Sequence, residues 1–433
     1  MEFYDAAEAL SRSEIERVQL KRLQKTVERV RRCAFYAERL GAAGVTPDSI
    51  RSLDDLRRIP FTTKDDLRSQ YPHGLLCTDR EEIVRLHASS GTTGSPTVVC
   101  HTREDLDSWA SLMARSLFCA GVRPADVFLN TTGYHMFTGG LGMHYGAERL
   151  GCMVVPSGPG NTKRQLKFIQ DFGVTAAHII PSYALYLAQW LEARDIDPAT
   201  LPLRIACIGA EPHTEEARRR IEELMHLKAY NSYGLSEMNG PGVAFECVRQ
   251  DGMHLWEDAY VAEIIDPVTT EPVAEGEVGE LVLTTLCRRG MPILRYRTRD
   301  LTRFIPGPCA CGRVHRRIDR IKGRADDMII LKGVNIYPMQ IEQVLMAMPE
   351  VGQNYQILLE REGVVDQMRV RVEIKEEFFV EDMRALGAIQ KRICSRLRDE
   401  ILISPRVELV ETASIPKEEG KAKRVVDLRE KAE

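Results

Sequence analysis

No run of apolar residues in this 433-residue chain approaches membrane-spanning length, and the opening MEFYDAAEALSRSE is too acidic and polar for a secretory leader. Charge of either sign is not in excess: a formal net charge of −4 gives no global field to draw nucleic acid or an anionic membrane. Internal repeats and low-complexity tracts are missing. So are a Gly-Lys-Ser/Thr P-loop ending, a His-Glu-x-x-His motif and any spacing that argues for a Ser-His-Asp triad. The eleven cysteines are scattered; they argue for reduced thiols rather than a disulfide framework, with a metal site expected only where they cluster. These absences lead to the expectation of a cytoplasmic globular protein. At 44% hydrophobic and 28% charged, the chain is long enough for two or more domains and a sizeable core.

Against that ordinary background one stretch stands out. Leu86 to Thr97, LHASSGTTGSPT, alternates hydroxyls and glycines in a run too small to build a core. Glycine permits the backbone angles that aim successive N–H groups at one point, and Ser/Thr hydroxyls add donors around the same anion, so the run reads as a phosphate cradle. An ordinary surface turn is the competing reading. Residues 14 to 40 repeat apolar positions at helical spacing with Arg and Lys opposite, which predicts one surface helix. From Val84 to about Ile208, short β-branched runs (Val127 to Leu129, Met153 to Val155, Ala176 to Ile180, Leu203 to Ile208) alternate with helical stretches, the pattern of a largely parallel α/β sheet. AYVAEIIDP and GELVLTTL, from Tyr260 on, predict a smaller β unit. Beyond GRADDM a compact β/α pattern predicts strands near Gln356 to Leu359, Met368 to Ile374 and Val407 to Val410, and a charged helix near Val380 to Leu397. The domain boundary is expected at about Asp326.

Three further segments carry chemistry. YNSYGLSE, Tyr230 to Glu237, sets an aromatic ring, a glycine turn and one carboxylate close together, which suits a base-stacking shelf followed by a magnesium ligand. IGAEP, Ile208 to Pro212, follows an apolar strand, where α/β sheets place ligand-binding turns. YRTRDL offers Asp300, a carboxylate able to accept both hydroxyls of a ribose; alone, an Asp after Arg-Thr-Arg reads as a surface ion pair.

In sequence order, SSGTTGSP, YGLSE, YRTRDL, GRADDMIILKGVNIYP and GKAKR resemble the motif series of the adenylate-forming enzymes, across essentially the whole chain. FTGGLGMHYGAE (Phe137 to Glu148), IGAEP and GVNIYPMQIE are most similar to phenylacetate-coenzyme A ligases. The resemblance implies a large adenylation domain over 1–325, with mainly parallel sheets flanked by helices plus a β unit, and a small mobile α+β domain over 326–433. It implies two half-reactions. An aryl carboxylate and ATP give an acyl adenylate and pyrophosphate, and coenzyme A then displaces AMP, a step of aromatic-acid catabolism. Matching motif positions implies Ser90, Gly91, Thr92, Thr93 and Gly94 on phosphate, Glu237 on Mg2+, and Asp300 on the ribose. It further implies Tyr233, Gly234, Ala210, Glu211 and Pro212 at the adenine, Arg324 beside the nucleotide, Lys421 bridging carboxylate and α-phosphate, and Asp326 as hinge. Leu331 to Asn335 would face the pantetheine tunnel after rotation. Many members carry a lysine where this chain has Thr97, so triphosphate charge must be met by magnesium, N–H groups and other basic side chains. A homodimer is also implied.

For the acid, Tyr134, Phe137, Thr138 and Gly139 to Gly142 (with Gly139 and Gly140 foremost) read as a loop where an aromatic ring lies against glycine backbone and aromatic side chains, with core packing of Tyr134 and Phe137 as the alternative. His87, His144 and His178 read as structural histidines, and His135 lies in the acid loop. PCACGR (Cys309, Cys311) and ECVRQDGMH (Cys247, His254) together offer four zinc ligands, with His315 competing for the fourth place. Such a site is expected to staple the sheet domain to the β unit. Two other functions compete with the ligase: an adenylyltransferase acting on a phenolic deazaflavin, and a non-enzymatic zinc-binding module.

Overall fold

The computed structural model describes residues 2–89, 96–331, 334–362, 365–379, 383–415 and 424–429. The chain forms two compact units, and neither is continuous in sequence.

The first unit takes Met1–Ile179, Pro202–Ala210 and Tyr230–Arg320. It opens with a helix at Arg12–Val30, started by a capping box in which Ser11 and Glu14 satisfy each other's backbone. The single helix expected over 14–40 is two, the second at Ala34–Ala42. Between them Cys33 is extended (φ −92°, ψ 127°) and donates its thiol to the Gly74 carbonyl at 3.0 Å, and the second helix turns inward to bury Tyr36 and Leu40. A tertiary contact has overridden the helical period.

The nine-stranded sheet of this unit runs in the order 304–305, 317–318, 253–255, 240–246, 228–235, 205–209, 176–179, 127–130, 153–155. Met153–Val155, Val127–Asn130, Ala176–Ile179 and Ile205–Gly209 are parallel neighbours, matching the four β-branched runs. Beyond Lys228–Leu235 the pairing is antiparallel. Val127–Asn130 lies between the strand that follows it and the one after that, so the chain changes direction of travel at its carboxyl end, where open α/β sheets form a crevice. Tyr260–Ile265, Gly279–Thr285 and Tyr296–Thr302 pair antiparallel in a separate sheet, the expected β unit. Trp256, Tyr260, Phe128 and Phe245 are among the largest side chains fully removed from water.

The second unit takes Ile180–Leu201, Glu211–Ala229 and Ile321–Glu433. Its four-stranded sheet has the order 406–410, 365–374, 351–362, 425–427, with Met383–Ile401 as its long helix. One apolar cluster joins Ile329, Leu331, Ile341, Val370, Ile393 and Leu397 to Ala217 on the helix Glu215–Met225. Glu342 fastens the same helix: the Thr214 N–H donates to its Oε1 at 3.1 Å and Tyr355 Oη to its Oε2 at 2.7 Å. Arg220 Nη2 adds a bond to the Val351 carbonyl at 2.9 Å.

Candidate active site

Leu86 to Ala88, the first residues of the run read as a phosphate cradle, close the strand Ile83–Ala88, which pairs antiparallel with Val98–Thr102. Ser89 and Thr97 bond to each other: Ser89 N–H donates to the Thr97 carbonyl and Thr97 N–H to Ser89 Oγ, both at 2.9 Å. Ser90, Gly91, Thr92, Thr93 and Gly94 lie outside the described residues, as does Lys421. Thr97 itself is fully buried.

Asp300 belongs to the strand Tyr296–Thr302, where Tyr296, Thr298 and Asp300 are buried and Arg297 and Arg299 less so, the two-residue period of a strand. Arg299 has φ +66°, and the register with Gly279–Thr285 slips between Glu280 and Val282. Such a bulge re-aims the side chain that follows it. Buried Glu280 accepts from Arg297 Nη2 at 2.6 Å and from Arg299 N–H at 3.2 Å. Asp300 is buried rather than at the surface, and Tyr233 Oη donates to its Oδ2 at 2.6 Å.

Glu237 follows the strand Lys228–Leu235 in a short turn and is buried, with Tyr296 Oη donating to its Oε1 at 3.1 Å. Arg288, wholly enclosed, donates to the Glu237 carbonyl at 2.7 Å and to the Cys100 carbonyl at 3.2 Å, and its burial pulls its pKa down. Gly234 admits no side chain, since a Cβ there would lie 2.0 Å from the Gly240 carbonyl oxygen. Ala210, the residue after the strand Ile205–Gly209, has φ +70°, a strained angle for a residue with a Cβ. Tyr296 and Arg288 were missed from sequence. Tyr296 had a signal, being four residues before Asp300 on the same strand face; Arg288, in Cys-Arg-Arg-Gly, had none.

In the second unit the Glu211 carboxylate accepts the Ser182 N–H at 2.5 Å at the start of the helix Pro181–Glu192, and burial raises its pKa. Pro212 is exposed. Arg324 grips Asp326 with two bonds of 2.8 Å, Nε to Oδ1 and Nη2 to Oδ2.

The expected acid loop leaves the carboxyl end of Val127–Asn130. Asn130 Nδ2 donates to Tyr134 Oη at 2.9 Å and to the Gly140 carbonyl at 2.8 Å, while Tyr134 Oη lies 3.2 Å from His144 Nδ1. Burial raises the Tyr134 pKa. Phe137 is half exposed at the start of the helix Thr138–Leu150, so core packing does not explain it. Gly139 faces open space, whereas a Cβ on Gly140 would lie 2.2 Å from the Gly133 carbonyl oxygen. His87 and His178 are buried and hydrogen-bonded, as structural histidines are; His135 is exposed.

Cys247, His254, Cys309 and Cys311 converge: one ligand atom from each lies within 4.8 Å of the others, and all four residues are buried. Contact with Cys247 pulls the Cys311 thiol down, and the neighbouring sulfurs outweigh burial to raise His254 above the usual imidazole range. The expectation that this cluster bridges the sheet and the β unit is corrected. Cys247 follows Gly240–Glu246, His254 lies in Met253–Leu255, and Cys309 and Cys311 lie between Phe304–Ile305 and Arg317–Ile318, all strands of one sheet.

Residues 19–287 match the family model of the AMP-binding enzymes and residues 333–429 that of the AMP-binding enzyme C-terminal domain. The chain is 46% identical to the phenylacetate-coenzyme A ligase of Thermus thermophilus, over 99% of this chain and all of that protein. It is 44% identical to that of Escherichia coli, over 98% and 97% respectively. Among solved structures, 2-hydroxyisobutyryl-CoA ligase in its postadenylation state with 2-HIB-AMP superposes with a TM-score of 0.92 at 30% identity, covering 98% of this chain and 92% of the other.

Proposed function

The chain belongs to the AMP-binding enzymes and, within them, to the phenylacetate-coenzyme A ligases, and from that premise we propose that it joins an arylacetic acid to coenzyme A using ATP. The carboxylate attacks the α-phosphorus, pyrophosphate leaves, and the coenzyme A thiol then displaces AMP from the acyl adenylate. A free carboxylate has no competent leaving group and the adenylate provides one. The chain's task is to position anions and to stabilise charge, first at phosphorus and then at the acyl carbon.

In this reading Ser90, Gly91, Thr92, Thr93 and Gly94 cradle phosphate, and Asp300 accepts the ribose hydroxyls with its carboxylate oriented by Tyr233. Tyr233, Gly234, Ala210, Glu211 and Pro212 line the adenine slot, and Arg324 serves the nucleotide. Lys421 bridges carboxylate and α-phosphate during adenylation. Tyr134, Phe137, Gly139 and Gly140 receive the aryl group. Glu237 is the Mg2+ ligand: a single buried carboxylate near hydroxyls is the oxygen-donor set this ion favours beside phosphates. Bound there, Mg2+ neutralises phosphate charge, a need made greater by Thr97 standing where other members have lysine.

Residues 1–325 form the adenylation domain and 326–433 the moving one, turning at Asp326. The bonds of Glu342 to Thr214 and of Arg220 to Val351 are then among those exchanged between half-reactions. Among the described residues no helix is long and apolar enough to cross a membrane. We place the enzyme in the cytoplasm as a homodimer, with structural zinc at Cys247, His254, Cys309 and Cys311.

The observation that carries this reading is the 46% identity along the whole of a named phenylacetate-coenzyme A ligase, joined to the buried Tyr233–Asp300 pair on the motifs quoted. Pyrophosphate exchange over a panel of aryl acids, read with and without coenzyme A, tests it. Exchange is expected with arylacetates, and AMP release only when coenzyme A is added; pyrophosphate release that needs a phenol in place of an acid, with AMP retained on the product, points instead to adenylyl transfer, and no exchange with any acid sinks the ligase reading.

A further inference from the structure

Deepening that zinc assignment, we infer that three thiolates, of Cys247, Cys309 and Cys311, and the Nε2 of His254 hold one Zn2+ that locks the register of the antiparallel end of the large sheet. The distances suit the ion. A tetrahedral centre with Zn–S of about 2.3 Å and Zn–N of about 2.0 Å needs sulfurs about 3.8 Å apart and sulfur about 3.5 Å from nitrogen. Cys247 Sγ lies 3.7 Å from Cys309 Sγ, and Cys311 Sγ lies 3.2 Å from His254 Nε2.

The surroundings decide between the two histidines. His254 Nδ1 lies 3.2 Å from the His315 carbonyl, which fixes the proton on Nδ1 and turns the Nε2 lone pair to the sulfurs, the usual support for a zinc-bound imidazole. His315 Nδ1 instead accepts the Glu257 N–H at 3.2 Å, and its ring lies edge-on to Trp256. His315 therefore supplies a carbonyl, and His254 is the ligand. Arg249 N–H points at Cys247 Sγ from 3.4 Å, and Gly312, at φ +76°, lets its N–H reach the Cys309 carbonyl at 3.0 Å and folds the Cys-x-Cys turn.

What the ion does follows from where the ligands come from. Phe304–Ile305 and Arg317–Ile318 are two residues long and Met253–Leu255 three, so their ladders carry few hydrogen bonds and invite slippage. The ligands tie the connection between the two shortest strands to both members of the neighbouring pair. A metal that binds only the folded site stabilises it directly. The same restraint reaches Gly240–Glu246, whose first residue would touch Thr138 if it carried a Cβ.

The experiment uses the full-length protein purified without chelator from zinc-supplemented cells. About one zinc per chain is expected by elemental analysis, released in step with titration of the thiols, and cobalt substitution should give thiolate charge-transfer and tetrahedral ligand-field bands. His315→Ala should keep the metal while His254→Ala and Cys311→Ser lose most of it. Should those two variants fail to fold, metal content and the cobalt spectrum of the wild type still decide. Less than about a tenth of an equivalent with no tetrahedral cobalt spectrum, a Cys247–Cys309 disulfide by mass, or metal lost from His315→Ala but kept by His254→Ala would overturn the inference. Metal content is read without turnover, so its failure is distinct from failure of the ligase reading.

Discussion

Tyr233 does two jobs with one side chain: its ring is proposed to face the base, and its hydroxyl donates to Asp300 at 2.6 Å. Removing the hydroxyl leaves a buried carboxylate one donor short. A hydrogen bond to a charged group is worth about 1.5–3 kcal/mol, so Tyr233→Phe should lower kcat/KM for ATP roughly 10- to 100-fold. The loss should appear mainly in KM for ATP, with KM for the acid little changed; steady-state kinetics with each substrate varied would check this, and an unaltered KM for ATP would count against the ribose role of Asp300. The sequence displayed both residues, because each sits in a motif. Their direct contact was not legible: sixty-seven positions separate them, and the bulge at Arg299 that aims Asp300 leaves no compositional trace. Arg288 was hidden for a similar reason. A buried arginine that holds two carbonyls looks, in a string of letters, like any solvated one.

Elements were easier to foresee than the contacts between them. The parallel strands declared themselves through β-branched runs bounded by turns, as in Met153 to Val155, while the break between the first two helices depended on a thiol reaching Gly74, which no local pattern records. The cysteine cluster was visible as Cys-x-Cys plus Cys and His, yet which strands it joined was a matter of pairing order. At this scale the loop and helix proposed to receive the acid yield a paired prediction. Gly140→Ala forces a methyl against the Gly133 carbonyl and should cost about 1–3 kcal/mol, lowering Tm and raising KM for the acid together. Gly139→Ala meets open space inside a helix, so alanine's better helix propensity should keep stability or add about 0.5–1 kcal/mol, and Tm should not fall while KM for the acid rises. Thermal melts of both variants beside acid saturation curves would check the pair, and equal loss of Tm in both would contradict it.

The whole molecule carries its own pH signature and its own division of labour. Burial pushes the His178 imidazole down to about 4, against 6.5 for an exposed one. Between those values the folded chain binds fewer protons than the unfolded one, so the stability of the neutral form is fully present above about pH 6.5 and drains away as pH falls towards 4, about 3 kcal/mol in all. Urea midpoints should fall over that window and fall less steeply in His178→Gln; matching slopes would remove the assignment. For the reaction as a whole, Lys421→Ala should abolish acid-dependent pyrophosphate exchange yet spare thioester formation from a supplied acyl adenylate, a split that quench-flow or product analysis reads directly. Equal loss in both would contradict two active arrangements of one chain. The second unit, finally, is assembled from residues 180–201, 211–229 and 321–433. During synthesis the helices Pro181–Glu192 and Glu215–Met225 leave the ribosome about a hundred residues before their partners begin to follow, a delay of roughly 5–20 s at ordinary elongation rates. For that interval Ala217 waits for the residues beyond 321 that bury it.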